Sequence, residues 1–304
     1  MNTRLKSIAA CLALTGTPAL TPGLAAAQEA TPPQADKNTI IVEGARIERD
    51  AVRETAREVT ARPRTYSDPL PRFQKPICPG IWGMLPENAQ PVIDRIYDNA
   101  ERAGIDIETD PLCTANVWII VVDDPDATFA DLRRERSFMI RELTLADRRE
   151  VESQTGPARS WSIVSYRNRD GELVPGLSPE SRFRNGGPTV NPVTNMSRLE
   201  SAMRLDMEAS VLLLARSALA DVDAFTLADY ATMRLLAQTR VPEDGGAVDT
   251  VLALFDEGAD APQRLSRFDL AYLQALYRSS PTRPGRMAVG NVGTLMDDGV
   301  PGQR

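Results

Sequence analysis

Cys78-Pro-Gly-Ile-Trp-Gly-Met84 opens a segment that closes with Ala115-Asn-Val-Trp-Ile-Ile-Val-Val-Asp-Asp124, and a helical pattern lies between the two. Val117 to Val122 is an unbroken apolar run of mostly β-branched residues, the pattern of a strand covered on both faces. We expect it to be the central strand. Between Pro86 and Ala103 the apolar positions Ile93, Ile96, Tyr97 and Ala100 recur at helical spacing, and Gly104 stands where a left-handed cap is needed. Cys78 and Cys113 are the only cysteines once residues 1 to 27 are removed. We expect them to form a disulfide, stabilising by roughly 3–4 kcal/mol in the loop-entropy model; the alternative is two unpaired buried thiols.

Upstream, Arg4 and Lys6 precede an apolar run from Ile8 to Leu20, and Ala25-Ala-Ala27 precedes Gln28. This is the order of a secretory signal peptide cleaved after Ala27. A lipoprotein reading through Cys11 leaves almost no apolar segment ahead of the cysteine. No later run approaches the roughly 20 apolar residues of a membrane span, so we expect a periplasmic or secreted protein with no span. Cleavage leaves 33 basic residues against 42 acids, a net charge of −9. Nucleic acid and anionic membrane are therefore unexpected partners.

The chain contains no histidine. Ser-His-Asp and Cys-His machinery, His-containing zinc sites and imidazole proton shuttles are all excluded. Lys37 and Lys75 are the only lysines beyond Lys6, so a Ser-Lys dyad or Schiff base has few places to form. We expect no cofactor and no metal.

Residues 28 to 71 read as a Pro-rich linker followed by a short strand, Thr39 to Gly44, and a helix, Glu48 to Thr60, with Val52 and Ala56 on one side. The prolines at 63, 69, 71, 76 and 79 force an extended or looped path into Cys78. Residues 72 to 280 are expected to form one α/β domain, a mixed β-sheet flanked by helices with a helical C-terminal part (α+β), and 281 to 304 a tail.

Asp123-Asp-Pro-Asp126 follows the expected central strand, where an enzyme places an acid or a metal; the plainer reading is that Asp126 caps a helix from Phe129 to Leu143. Thr144 with Asp147 marks a capping box. Arg159 to Arg167 alternates, and Asp170-Gly171 with Glu172-Leu-Val174 completes a β-hairpin. Pro175 to Thr194 is a long loop, Asn195-Met-Ser197 a sequon, Ser197 to Arg204 an edge strand, and Ala209 to Leu214 a second apolar run. Thr226 with Asp229 is read as capping Leu227 to Gln238, Val248 to Phe255 as a short apolar helix, and Ser266 with Asp269 as capping Phe268 to Tyr277.

Ile41-Val-Glu-Gly44, Pro76-Ile-Cys-Pro-Gly80, Val121-Val-Asp-Asp124, Leu227-Ala-Asp-Tyr-Ala-Thr-Met-Arg234 and the run from Leu265 to Tyr277 resemble a family of secreted proteins from Gram-negative bacteria without assigned function. That resemblance implies secretion and a single fold. From Thr226 to Tyr277 the order of parts is also similar to the C-terminal half of zincin-type metallopeptidases. There the active-site helix carries H-E-x-x-H. Asp229, Tyr230 and Met233 stand at the corresponding positions and match none of it, so the resemblance implies a zincin-like scaffold without its zinc site.

The expected function is a non-catalytic periplasmic binding module for a peptide, a cell-wall fragment or a partner protein, with a groove near Asp229, Tyr230 and Met233. The alternative is a carboxylate-dependent hydrolase acting on glycans or other envelope material, drawing on Asp123, Asp124, Asp126, Asp206 and Asp229. A third is an envelope-associated module whose strand at Ile40 to Val42 pairs with another protein's sheet edge.

Overall fold

The computed structural model describes residues 49–61, 68–174, 199–242, 247–256 and 258–298. The expected signal peptide, the expected strand at Thr39 to Gly44, the expected loop from Pro175 and the sequon lie outside these residues. The fold is α/β. A five-stranded, mostly parallel sheet is built on β5 (Met203–Ala215). Strand β4 (Ala158–Asn168) runs antiparallel along one side of it. The other side is shared by β3 (Val117–Val122), parallel to Ser210 through Ala215, and by the short β1 (Arg72–Phe73), parallel to Asp206 and Met207. Strand β2 (Pro79–Trp82) pairs parallel to the outer side of β3.

Strand β5 unites two segments that sequence separates, an edge strand to Arg204 and an apolar run from Ala209. Polar Arg204, Asp206 and Glu208 interrupt the apolar pattern between them. They belong to the strand because their charges pair with one another and with Arg167 on β4. A bulge near Glu208 shifts the register between Ile163 and Val164. The hairpin turn is present: Asn168 N–H donates to Glu172 O at 2.9 Å and Gly171 takes φ 91°. Its return reaches β4 only at the Arg167–Leu173 bridge.

Side chains alternate between two cores. Ile119, Val121, Leu212 and Leu214 enter the larger one, with α2 (Pro86–Ala103), α5 (Ala224–Leu236) and α6 (Arg267–Arg278). Ile120, Val211, Leu213 and Trp161 enter the smaller one beneath α3 (Pro125–Arg134) and α4 (Leu145–Glu152), which lie mainly over β4 and β5. Trp161 is fixed there by an N–H bond to Met139 O at 2.7 Å and an edge-on contact with Phe129.

Gly104 caps α2 at φ 79°, and the Thr144–Asp147 and Ser266–Asp269 capping boxes form. Two caps move. Helix α3 is capped by Asp124 rather than Asp126 and ends at Arg134, and α5 is capped by Asp223 rather than Thr226. The segment from Val248 forms only a 3-10 turn at Val251–Ala253. Cys78 and Cys113 are joined, their Cα atoms 6.3 Å apart.

The expected tail is folded structure as far as Asp298. Helices α7 (Gly285–Ala288) and α8 (Val292–Asp298) bury Ala288, Val289 and Val292, and α8 packs on both α6 and α1 (Arg49–Val59). Arg49 closes this contact by pairing with Asp297 at 2.7 Å. The domain thus extends beyond 72 to 280 in both directions.

Candidate functional site

Helix α5 carries Asp229, Tyr230 and Met233, and all three are buried. Every residue from Thr226 to Leu236 is buried, because Leu227, Ala228, Ala231, Leu235 and Leu236 make the helix apolar around its circumference. The groove expected at these positions is therefore filled by the core. Tyr230 packs edge-on against Phe255, ring centroids 4.9 Å apart, and burial pushes its phenol pKa up. Asp229 is a fastening point. It accepts from Arg95 through both oxygens at 2.7 and 3.0 Å, from Asn99 at 2.6 Å and from the Leu265 N–H at 2.9 Å. One carboxylate ties α2, α5 and the approach to α6.

The three acids after β3 are spread over separate tasks. Asp124 accepts from the Asp126 and Ala127 N–H groups as the α3 cap. Asp126 makes a bidentate pair with the buried Arg159 at 2.8 and 2.9 Å. Asp123 is 92% exposed and meets Arg216 at 3.2 Å. Nothing brings the three together as a catalytic set.

A different acid pair does converge. Asp206 Oδ2 accepts from Arg204 at 3.0 Å and lies 3.2 Å from Arg167 Nε, while its Oδ1 is buried without a hydrogen-bond partner among the described residues. Burial pushes the Asp206 pKa up. Burial also works against ionisation of Glu208, but bonds from Arg167, Ser165 and Lys75 outweigh it and hold that carboxyl at about 2. Glu208 itself was not singled out from sequence; its signal was the i, i+2 spacing from Asp206 on one strand.

Among the described residues the most exposed aromatic ring lies at the carboxyl end of β2. Among the described residues β2 is the terminal strand of the sheet, with no strand on its outer edge. Trp82, at its end, is 64% exposed, and its ring lies 6.0 Å from that of Trp118 on β3. Gly80 makes this possible: a Cβ there would come within 2.8 Å of Ala115 and 3.1 Å of the Trp118 ring. The strand then turns at Gly83, φ 80°, where a side chain would meet Val121 O at 2.2 Å. Gly83 O accepts from Arg216 at 3.0 Å, and Arg216 also reaches Asp123, so one guanidinium links the ends of β2, β3 and β5. Helix α2 leaves β2 toward the larger core and α3 leaves β3 toward the smaller one. Such a divergence at the carboxyl ends of parallel strands is where open α/β sheets bind ligands. Leu85, which precedes α2, is also exposed.

Sequence reasoning placed Trp82 inside the key segment without marking it. Its signal was a tryptophan between two glycines at the end of a strand. No helix among the described residues is long and apolar enough to cross a membrane. No protein-family model, curated protein or solved structure matches the chain.

Proposed function

We propose that the protein is a secreted, non-catalytic binding module that captures an extended peptide along the outer edge of β2. The observation that carries this is the exposed Trp82 at the end of a strand whose outer edge has no strand partner among the described residues. An added strand gains main-chain hydrogen bonds from such an edge, and alternate side chains give selectivity. The residue 1–27 pattern and the Cys78–Cys113 bridge support secretion into an oxidising compartment. The proposal includes membership of the secreted Gram-negative family described above and, for residues 226 to 277, a zincin-like scaffold without zinc. The sequence of helix, short apolar turn and closing helix supports the latter.

The test is fluorescence anisotropy with a labelled extended peptide and the same peptide N-methylated at alternate residues. Binding of the first at roughly micromolar affinity, lost on N-methylation, is expected. Equal binding of both peptides, or binding unchanged by Trp82→Ala, would overturn the proposal.

A second reading, a carboxylate-dependent hydrolase acting on glycans or other envelope material, draws support from Asp206 and Glu208 alone. They meet one guanidinium and their acidities are pushed in opposite directions, as in acid and base pairs. It requires release of labelled fragments from peptidoglycan by the wild type and not by Asp206→Asn. Absence of release ends it.

A further inference from the structure

We infer that the β2 edge selects peptides carrying a basic side chain, lysine or arginine, and that the Trp82–Trp118 surface with Asp123 is what reads that charge. This rests on the reading of β2 as a peptide-capturing edge and adds the chemistry of the occupant.

A tryptophan face is the strongest aromatic partner for an ammonium or guanidinium group. Trp82 and Trp118 are tilted at 55° to one another, so together they present two faces rather than one flat plate. A peptide paired to β2 places alternate side chains on the sheet face that carries these rings. A long, flexible basic side chain from that row can lay its apolar stem on the exposed Trp82 and carry its head toward the carboxyl end of β3.

At that end the charge is acidic. Asp123 is 92% exposed and uses Oδ1 for Arg216 at 3.2 Å, a weak surface pairing. Asp124 is exposed beside it, and exposed Glu87 lies in the first turn of α2, just beyond Leu85. Arg216, 57% exposed, is the cation set against them, and the Gly83 carbonyl also engages it. The whole chain carries a net charge of −7. An acidic peptide is repelled both locally and by the overall field, and a second copy of this chain meets the same repulsion. A neutral apolar peptide gains the tryptophan contact without the charge. A basic side chain satisfies both features.

The experiment is an anisotropy series on the full secreted chain. It uses labelled peptides of one extended sequence that differ at a single position, lysine, arginine, norleucine or glutamate, at about 20 and about 200 mM salt. The expected result is tighter binding of the lysine and arginine peptides than of the norleucine peptide, by about tenfold at low salt and less at high salt. The glutamate peptide is expected to bind weakest. Asp123→Asn is expected to shrink the advantage of lysine over norleucine severalfold. Equal binding of lysine and norleucine peptides overturns the charge inference and leaves peptide capture standing. Failure of every peptide in the series overturns both. Because Trp82 and Asp123 are exposed, neither Trp82→Ala nor Asp123→Asn disturbs the core, and a matched thermal unfolding curve for each confirms that lost binding is local.

Discussion

Asp229 shows how far a side chain's role depends on what surrounds it. It sits on an apolar helix, and the Arg95 guanidinium, Asn99 and the Leu265 amide take up its oxygens. Removing one partner of a buried pair leaves the other uncompensated. Asp229→Ala is expected to cost about 3 kcal/mol in urea unfolding, with Arg95, 23% exposed, recovering some solvation. By contrast Asp123→Asn is expected to change stability by less than about 0.5 kcal/mol. Two other carboxyls set a pH dependence of opposite sign. Burial, against bonds from Thr250, Val251 and Ser266, pushes Asp269 from 3.8 up to about 6. In that window the folded state holds more protons than the unfolded one, so this contribution to stability falls as pH rises from about 4 to about 6. Glu208, held at about 2, does the reverse: its contribution is lost as pH falls from about 4.5 toward 2. Urea midpoints measured across pH 4 to 7 are expected to lose part of their downward slope in Asp269→Asn, and an unchanged slope would contradict the assignment.

At the scale of elements, sequence was most informative where local chemistry acts alone. Gly104, the Thr144–Asp147 box and the Ser266–Asp269 box need only their own neighbours, and all three form as read. The reading failed where a partner far along the chain decides. Asp229 has capping-box spacing from Thr226, but Asp223 takes the cap because Asp229 is drawn to Arg95, 134 residues away. Residues 281 to 298 are rich in Gly, Pro and Asp, which hides the apolar spacing of Val289, Val292 and Met296 against α1. Truncation after Ser280 is therefore expected to unfold the protein in circular dichroism, whereas a dispensable tail would leave the spectrum and melting curve unchanged. Replacing Cys78 and Cys113 by serine is expected to lower stability by roughly 3–4 kcal/mol. Gly83→Ala is expected to cost about 2 kcal/mol or more, since it adds a side chain at φ 80° against the Val121 carbonyl.

For the whole molecule, the α/β class was legible because Val117 to Val122 and the helix before it carry their periods openly. The candidate surface was not, because exposure of Trp82 depends on how α3 and α4 distribute themselves over β4 and β5, and no local pattern encodes that. The proposed binding surface combines an edge strand, two tryptophans and exposed carboxylates. The direct test is amide hydrogen exchange of the protein with and without a bound lysine-containing peptide. Slowed exchange at Ile81, the one β2 residue whose N–H faces away from β3, is the expected result. Unchanged exchange there, with protection appearing along β4 or elsewhere, would contradict capture at the β2 edge.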